Sequence, residues 1–459
     1  MRPRLQSARD QLPAVLGRRS VATASELMDA LQVSRATLHR LLKEAGGQVV
    51  AAGKAQQARY ALRRAIRGEA ADLPLYEVDA QGRAELIAVV APVSPQGCHA
   101  SLVDAGWPVP DESVTGWWDG LPYPLYDMRP QGYMGRQIAR AEHRALGVSE
   151  NLEDWTDDEV LFVLARVGAD VSGSLILGNA AYEGWLARKL SPLPALRDEP
   201  GPAYEALAEQ AIAAGVPGSS AAGEFPKFAA MRDLPDARTP HVLVKFSGND
   251  DSPAVRRWAD LLVCEHLALQ CAAALAGVRS PPSRIVRHGG RTFLEVERFD
   301  RHGLHGRSRL ASLFTLNAAL MGDPSSDWTR LTTRLADRHL LPASDAQAIE
   351  RLWWFGRLIA NSDMHTGNLS FVPQQGRLSL APCYDMLPMA YAPLPGGEVP
   401  LREFRPPAPL PTQRGPWTEA CDAARRFWSM AGDDDRISLD FRSMCIENAQ
   451  SLAHVAMQV

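Results

Sequence analysis

The first 70 residues carry two short patterns of helical spacing. Within residues 20–46, apolar side chains recur first at Leu27 and Leu31 and then at Leu38 and Leu41. This spacing places each pair on one face of a helix and predicts two short amphipathic helices joined by a tight turn. Such a pair is typical of a helix-turn-helix, whose second helix enters the major groove of DNA.

Polar residues and a strand pattern extend this prediction. Ser25 and Ser34 precede the two helices and are predicted N-caps, because a serine oxygen accepts a hydrogen bond from a helix-terminal N–H. Residues 48–54 and 58–62 are predicted to form a two-stranded wing that turns at Gly53 and Lys54. The residues predicted to face bases or phosphates are Ser34, Arg35, Thr37 and His39, with Arg40 and Lys43 on the flank.

Charge is concentrated in the same segment. Residues 1–70 contain 13 Lys and Arg against 5 Asp and Glu, so they carry +8 while the other 389 residues carry -12 of the total of -4. A basic module fused to an acidic body is the pattern expected of nucleic-acid binding, because cations neutralise phosphates. A solvated basic tail and a helical hairpin used for dimerisation are the two alternative interpretations.

Length and composition bound the remaining possibilities. The chain has 459 residues, 46% apolar and 22% charged, which predicts two to four compact domains and excludes wholesale disorder. The six cysteines match neither metal hooks nor a disulfide framework, so we expect reduced thiols. We find no signal-peptide core and no run of 18 apolar residues, and therefore expect a cytoplasmic protein without a membrane contact.

Strand-like runs separated by Pro and Gly begin near Leu73 and predict a β-rich lobe. Further along, residues 241–246 alternate like a strand that carries Lys245. The amphipathic pattern from Ala254 to Leu275 then predicts a helix that presents Glu265 as the partner of this lysine. A strand lysine oriented by a helix glutamate is the arrangement that grips nucleotide phosphates in kinases.

An Asp and an Asn five residues apart indicate a catalytic loop. In the kinase mechanism, an Asp at the position of Asp363 accepts the proton of the attacking hydroxyl, and an Asn at that of Asn368 holds a metal ion. A predicted strand pair separates Asn368 from Asp385, which is positioned as a second metal ligand. Alone, an Asp-x4-Asn segment is more often a turn with side-chain caps.

Two further segments complete the order of a two-lobed kinase. The small-residue loop Gly218–Phe228 precedes the lysine strand, and its backbone amides are suited to cap phosphates. The run Phe293–Asp300 falls where a hinge strand passes the adenine. The sequence of loop, strand Lys, helix Glu, hinge, Asp-x4-Asn, hairpin and Asp predicts a phosphoryl-transfer site.

These motifs resemble the HipA family of bacterial serine/threonine kinases, the toxins of some type II toxin-antitoxin systems, and in particular the subgroup with a fused N-terminal DNA-binding domain. The likeness covers about residues 75–450. It is carried by Ser220-Ala-Ala-Gly223 through Lys227, Val244-Lys245-Phe246, Val296-Glu297-Arg298-Phe299-Asp300-Arg301, Asn361-Ser-Asp363-Met-His365-Thr-Gly-Asn368 and Pro382-Cys-Tyr-Asp385.

The resemblance implies an ATP- and Mg²⁺-dependent protein kinase. Asp363 is implied as the catalytic base, Asn368 and Asp385 as the Mg²⁺ ligands and Lys245 as the α/β-phosphate ligand, while backbone groups of Glu297 to Phe299 hold adenine. The implied ATP-binding residues are Ala222, Gly223, Glu224, Lys227, Lys245, Glu297, Arg298, Phe299, His365, Asn368 and Asp385.

The resemblance also implies regulation by autophosphorylation. In the family, a phosphate-loop serine can be modified, which ejects the loop; Ser220 matches that position, Ser219 is its neighbour, and a turn cap is the alternative role of Ser220. Family members commonly carry Gly and Lys where this chain has Met364 and Gly367.

The expected fold is α+β: a winged helix-turn-helix over residues 1–70, a β-rich kinase N-lobe over 73–300 and a helical C-lobe over 301–459. The leading hypothesis is a HipA-type serine/threonine protein kinase that acts on a protein substrate and binds DNA through residues 1–70. Helix-turn-helix proteins usually bind two half-sites as dimers, so a homodimer is part of this hypothesis. The alternatives are a DNA-binding regulator whose catalytically weak body senses nucleotide, and a small-molecule kinase, since antibiotic-modifying kinases share an Asp-x4-Asn loop.

Overall fold

The computed structural model describes residues 3–69, 72–192, 194–197, 199–213 and 225–459. Residues 3–69, the head, fold around a small core to which Leu27, Leu31, Leu38 and Leu41 all contribute. Both predicted helices and both predicted strands are present. The head contains α1 (Pro3–Gly17), β1 (Ala22–Thr23), α2 (Ala24–Leu31), α3 (Arg35–Ala45), β2 (Val49–Ala52) and β3 (Arg59–Leu62).

The details of the head differ from the prediction at two places. Ser25 is not the N-cap of α2, since Thr23 accepts a hydrogen bond from the Glu26 N–H at 3.2 Å and Glu26 accepts one from the Thr23 N–H at 2.7 Å. This reciprocal capping box satisfies two helix-terminal donors at once, whereas Ser34 caps α3 as predicted. The sheet has three antiparallel strands, in the order β1–β3–β2, where the sequence predicted two. The third strand, β1, was not predicted because two residues are too few to show an alternation.

The head is attached to the following residues through backbone pairing and arginines. The Ser94 N–H donates to the carbonyl of Leu62 at 2.8 Å, which continues β3 into the next sheet. The Arg64 guanidinium donates to a carboxylate oxygen of Asp158 at 2.7 Å and to the Val93 carbonyl at 2.9 Å. These contacts use an arginine that the sequence counts toward the basic charge of the head.

The middle region is a five-stranded antiparallel sheet in the order β7–β6–β5–β4–β8, covered by helices. Its elements are β4 (Leu73–Val78), β5 (Ala84–Pro92), β6 (Cys98–His99), β7 (Trp117–Trp118), α4 (Tyr123–Met128), α5 (Gly132–Leu146), α6 (Asp157–Val167), β8 (Leu175–Leu177) and α7 (Asn179–Leu190).

A second antiparallel sheet follows, in the order β11–β12–β10–β9. One face packs on α8 through an aromatic core that includes Tyr204, Phe228, Phe246 and Phe293. The long helix α9 lies against β11 and β12 and is buried along most of its length. The elements are α8 (Gly201–Ala213), β9 (Lys227–Met231), β10 (His241–Phe246), α9 (Pro253–Ala272), β11 (Ser283–His288) and β12 (Arg291–Glu297).

The C-terminal part is mainly helical and contains a small sheet in the order β15–β16–β17. The predicted strand pair between Asn368 and Asp385 is present as β16 and β17. The elements are β13 (Arg301–His302), β14 (Gly306–Arg307), β15 (Ala311–Ser312), α10 (Leu313–Leu320), α11 (Trp328–Asp337), α12 (Ala343–Leu358), β16 (Ser370–Gln374), β17 (Arg377–Leu380), α13 (Arg414–Asp433) and α14 (Leu439–Gln458).

Two further observations concern the cysteines and the helices. All six cysteines are buried and none forms a disulfide. None of the helices in the described part of the chain combines the length and apolar character needed to cross a bilayer.

Candidate functional site

Three charged side chains from distant parts of the chain meet at one end of a cleft of about 600 Å³. Lys245 projects from β10, and its Nζ donates to the two carboxylate oxygens of Glu265 on α9 at 2.7 and 2.8 Å. The same Nζ also contacts Asp385, which follows β17. The ammonium group therefore joins the second sheet, the buried helix and the C-terminal part.

Lys245 and the two carboxylates change each other's pKa values. Burial alone would lower the pKa of Lys245, but Asp385 and Glu265 outweigh it and raise this pKa. Burial also opposes the ionisation of Asp385, yet Lys245 lowers the pKa of that carboxyl below its usual value. Burial raises the pKa of Glu265, which Lys245 opposes, so Asp385 is the carboxylate of this group whose ionised form is favoured.

Lys227 lies beside this group. It is directly opposite Lys245 in the antiparallel register of β9 and β10, and both side chains line the cleft. Cross-strand neighbours lie close enough to interact, and Lys227 acts to lower the pKa values of both Glu265 and Asp385. Two lysines are therefore available to an anion in this cleft.

The segment from Asn361 to Asn368 forms a tightly bonded loop between α12 and β16. Asn361 accepts a hydrogen bond from the Asp363 N–H at 3.1 Å and donates to the Asp385 carbonyl at 3.2 Å. The Asn368 amide donates to the Asp363 carbonyl at 2.8 Å. Asp363 and Asn368 are thus fixed relative to each other and to Asp385, although neither lines the cleft itself.

Asn361 and Tyr384 are site residues that the sequence did not single out for a role. The Tyr384 hydroxyl lies 2.6 Å from Ser370 Oγ and donates to the Gly367 carbonyl at 2.7 Å, while its ring stacks on Phe299 with centroids 5.8 Å apart. Tyr384 therefore connects the loop to the hinge strand. Only the position of Tyr384 next to Asp385 gave a signal in the sequence.

The backbone at Asp385 has an unusual conformation. Its φ of 53° lies in the left-handed region, which is uncommon for a residue with a side chain and is often found at functional sites. Hydrogen bonding of its carbonyl to Asn361 holds this conformation. The result is that the carboxylate is presented to Lys245.

His365 has a structural part in the same loop. Its Nδ1 accepts a hydrogen bond from the Gly367 N–H at 3.0 Å, and its carbonyl accepts one from the Trp328 indole at 3.2 Å. A Cβ atom added to Gly367 would lie 2.8 Å from the histidine ring, so the ring and a side chain at this position exclude each other. Glycine at position 367 therefore leaves room for the ring of His365.

The hinge segment follows β12. The Glu297 N–H donates to the Pro282 carbonyl and the Arg298 N–H donates to the His241 carbonyl, both at 2.9 Å. Pro282 has no N–H that could donate to the Glu297 carbonyl, so the pairing of β11 with β12 ends at the Pro282 carbonyl. The Arg298 side chain turns to Asp300, with hydrogen bonds of 3.0 and 2.9 Å.

The middle region supplies one wall of the cleft, which the sequence did not predict. Met134, Gly135 and Ile138 of α5 line it. Asp127 at the end of α4 accepts hydrogen bonds from the Ser312 N–H at 2.8 Å and from the Ser312 and Thr315 hydroxyls at 2.7 and 2.6 Å. This carboxylate connects the middle region to α10.

Several predicted residues lie elsewhere. Ser219, Ser220, Ala222, Gly223 and Glu224 fall outside the described residues. On the head, Arg35, His39, Arg40 and Lys43 are exposed on α3, whereas Thr37 is half-buried. The Ser34 hydroxyl accepts a hydrogen bond from the Thr37 N–H at 3.3 Å, so it serves the helix cap.

Asp385 and Asn368 have side chains of the donor types that suit a divalent cation. The donor set is one carboxylate and one amide oxygen, and the amide N–H₂ of Asn368 is already bonded to the Asp363 carbonyl. Mg²⁺ is commonly held by one or two protein oxygens together with substrate phosphates. The lowered pKa of the Asp385 carboxyl is consistent with that requirement.

Two family models match the chain. One is described as the YjjJ-like toxin, middle domain, and matches residues 69–186; the other is the HipA-like C-terminal domain and matches residues 219–415. The middle region and residues 219–415, which contain Lys245, Glu265 and Asp385, therefore correspond to two domains of HipA-like toxins.

A curated relative covers nearly the whole chain. Toxin YjjJ of Escherichia coli (strain K12) is 35% identical over 439 residues, which are 95% of this chain and 96% of that protein. The chain belongs to the YjjJ family of HipA-like toxins.

Two solved structures are also similar. HipA in the Shewanella oneidensis MR-1 complex of HipA, HipB and operator DNA matches with a TM-score of 0.49 and 15% identity, over 84% of this chain and 97% of that one. The Helicobacter pylori proinflammatory kinase CtkA matches with a TM-score of 0.35 and 12% identity, over 51% of this chain and 90% of that one.

Proposed function

We propose that this chain is an ATP- and Mg²⁺-dependent serine/threonine protein kinase of the HipA toxin type. The single observation that carries the proposal is the convergence of Lys245, Glu265 and Asp385 at one end of the cleft, next to the loop that fixes Asp363 and Asn368. The three side chains that meet come from three separate elements, and Asn361 connects the loop to the Asp385 carbonyl. This convergence supports a phosphoryl-transfer site over a turn stabilised by local caps.

Each residue then has a defined part. Lys245, oriented by Glu265, binds the α- and β-phosphates, and Lys227 adds a second cation to the same region. Asn368 and Asp385 hold Mg²⁺, which supplies charge neutralisation along the phosphates when bound. Adenine lies at the hinge, where the Glu297 carbonyl and the backbone of Phe299 are its partners, because the N–H groups of Glu297 and Arg298 are already engaged.

Transfer requires a proton acceptor near the substrate hydroxyl. Asp363 takes that proton as the hydroxyl oxygen bonds to the γ-phosphorus and the bond to the bridging oxygen of ADP breaks. The exposed position of Asp363 is compatible with a protein substrate, which must bring its own hydroxyl to the loop. Asn361 and Tyr384 are positioning residues that hold this loop against Asp385.

We further propose regulation through the phosphate loop. By the family resemblance, Ser220 is the autophosphorylation site, with Ser219 as its neighbour, and Ala222, Gly223 and Glu224 contribute to ATP binding. A phosphate adds about -1.5 to -2 charges. It would therefore repel the phosphates of ATP and oppose nucleotide binding.

We propose that the head is a winged helix-turn-helix that binds DNA. The exposed cations on α3, Arg35, Arg40 and Lys43, support phosphate and base contacts, and Lys54 lies at the tip of the β2–β3 wing. Helix-turn-helix proteins commonly bind two half-sites as dimers, so a homodimer on its operator is part of this proposal.

The kinase proposal is tested by phosphate transfer from labelled ATP. Full-length protein, Asp363→Ala and the exposed control Asp111→Ala are incubated with ATP and Mg²⁺, with and without a cell extract as a source of substrate. We expect labelling of this chain or of an added protein to fall at least a hundredfold in Asp363→Ala and to stay unchanged in the control. Equal labelling by wild type and Asp363→Ala contradicts the proposal.

Nucleotide binding separates the kinase from the alternative. If wild-type protein binds ATP, and Lys245→Met weakens that binding, but no transfer to any acceptor occurs, the regulator with a catalytically weak, nucleotide-sensing body is favoured. Direct calorimetry of ATP binding provides this measurement without depending on the substrate.

The DNA proposal is best tested by point variants. Deleting residues 1–70 would expose the apolar contact between Ala61 of the head and Val93 and Trp117 of the middle region. Four exposed cations on α3 and the wing predict a slope of about -4 for log K against log salt, or about -3 in Arg35→Ala. Binding that is equally strong in Arg35→Ala, Arg40→Ala and Lys43→Ala variants contradicts the assignment of α3.

A further inference from the structure

A second cavity, of about 340 Å³, adjoins the cleft at the hinge segment. It lies between the C-terminal end of α7, the residues that follow α7, and the ends of β9 and β10. Arg298 and Arg188 line both the cleft and this cavity. The second cavity is therefore a neighbour of the proposed nucleotide site with walls of its own.

A buried cluster of arginines forms its inner wall. Arg301 donates to Asp300 at 2.6 Å and to Asp170 at 2.9 Å, and Arg298 binds Asp300 through two nitrogens. Arg307 is the third arginine of the cluster. Three guanidinium groups face two carboxylates, which leaves a net charge of +1.

Arg307 has the weakest ion pair of the three arginines, since its Nη2 lies 3.8 Å from an Asp170 carboxylate oxygen. Its Nη2 donates to the Ala169 carbonyl at 2.7 Å, but its Nη1 has no hydrogen-bond partner among the described residues. Burial, together with the charge of Arg301, lowers the pKa of Arg307 to about 9. Arginine stays protonated in proteins, so this buried charge destabilises the folded protein. An anion that approaches the guanidinium group would reduce this destabilisation.

The outer wall is cationic on one side and apolar on the other. Arg188 and Lys189 at the end of α7 add two positive charges, and Lys189 lies 5.1 Å from the Trp185 ring. The two histidines that line the cavity, His241 and His305, have pKa values lowered by burial and add no fixed charge. The apolar side is formed by Trp185, Pro192, Pro194, Leu196 and Leu304.

We propose that this cavity binds a small phosphorylated or carboxylated compound that has a flat apolar body. The anionic group would neutralise the excess charge of the arginine cluster, and the apolar body would cover the prolines and leucines. A guanidinium fork is suited to either anion, because both present two oxygens in a plane. This binding does not depend on phosphoryl transfer.

Occupancy would also act on the hinge. Arg298 lies between Glu297 and Phe299, and its side chain belongs to the arginine cluster. An anion that reduces the repulsion within the cluster therefore stabilises the hinge conformation. Such a ligand would act as an effector of the neighbouring cleft.

The test is calorimetric titration of the full-length protein with phenyl phosphate, benzoate, inorganic phosphate and phenol. We expect phenyl phosphate or benzoate to bind at least tenfold more tightly than both inorganic phosphate and phenol, because only they combine the two features. Preference between the first two identifies the anionic group. If phenol or inorganic phosphate binds as tightly as phenyl phosphate and benzoate do, the proposal is wrong.

Two variants locate the binding. Leu304→Glu places a carboxylate on the cavity wall and should weaken phenyl phosphate binding at least tenfold, whereas Leu186→Glu, on α7 outside the cavity, should leave it unchanged; the two leucines are 39% and 37% exposed. Lys245→Met should also leave it unchanged, since Lys245 lies in the nucleotide cleft. Loss of binding in Lys245→Met, or full binding in Leu304→Glu, overturns the proposal.

Discussion

Asp300 provides a sharp test of how the hinge is held. Its carboxylate accepts hydrogen bonds from Arg298 at 3.0 and 2.9 Å, from Arg301 at 2.6 Å and from the Gly173 N–H at 3.0 Å. The residue is 6% exposed, so water cannot replace these contacts. Replacing it by Asn keeps the shape of the side chain and removes its charge.

The expected loss of stability is large. Removing one partner of a buried ion pair costs about 3–5 kcal/mol, because the remaining charge stays buried without compensation. In Asp300→Asn, Arg298, Arg301 and Arg307 would face Asp170 alone, and one amide oxygen would replace two charged acceptors. We therefore expect the free energy of unfolding to fall by about 4 kcal/mol, and ATP binding at the adjacent hinge to weaken.

Urea denaturation followed by tryptophan fluorescence measures this change. With a slope of about 3 kcal/mol per molar urea, the midpoint should fall by more than 1 M. The control Glu403→Gln removes an exposed partner of Arg405 and should change stability by less than about 0.5 kcal/mol. A loss below 1 kcal/mol in Asp300→Asn would refute the reasoning.

The pH dependence provides a second check. Burial alone would raise the pKa of Asp300, but Arg298 and Arg301 outweigh it and hold this pKa far below its ordinary value. A lowered pKa in the folded state contributes stability that is complete above the unfolded pKa of about 3.9 and is lost as the pH falls through the folded value. The difference between wild type and Asp300→Asn should therefore stay constant from pH 7 to pH 5 and begin to shrink only below about pH 4.

Three further predictions concern contacts between distant elements. Asp127→Ala removes the acceptor of three hydrogen bonds from the start of α10 and should cost about 2–4 kcal/mol in urea denaturation; a loss under 0.5 kcal/mol would show that these bonds contribute little. Gly356→Ala places a Cβ atom 2.5 Å from the sulfur of Met364 in the loop. Labelling by ATP should fall about tenfold through misplacement of the loop, and Met364→Ala in the same chain should restore it; a double variant as weak as the single one speaks against this contact. Arg64→Ala should lower stability by about 1–3 kcal/mol without changing DNA affinity, whereas Arg35→Ala should do the reverse, and a loss of DNA affinity in Arg64→Ala would contradict the division between attachment and binding residues.

Local patterns predicted much of the fold. The helices α2, α3 and α9 and the strands β2, β3, β10, β16 and β17 lie where spacing of apolar residues placed them. Lys245 and Glu265 were identified because the first lies in a predictable strand and the second, 20 residues later, in a predictable helix. Such features depend on periodicity within one element, which a sequence displays directly.

Contacts between elements were not predictable in the same way. Tyr384 acts through Ser370 and Gly367, and Asp127 binds Ser312, which lies 185 residues further along. No spacing rule connects such pairs, because their distance depends on how whole sheets and helices pack. The prediction of the N-cap of α2 was wrong for a different reason. Ser25 and Thr23 can both cap a helix, and only Glu26, which completes a capping box with Thr23, favours the threonine.

The middle region is central to how the parts of this chain are joined. On one side, Arg64 and the pairing of Leu62 with Ser94 attach the head to it. On the other side, Asp127 holds Ser312, whose strand partner Ser370 contacts Tyr384 at the proposed catalytic loop. Because these connections consist of backbone pairing and partly buried hydrogen bonds, the head cannot reorient freely without breaking them. If the head binds DNA as we propose, these connections would hold the cleft in a fixed position relative to that DNA.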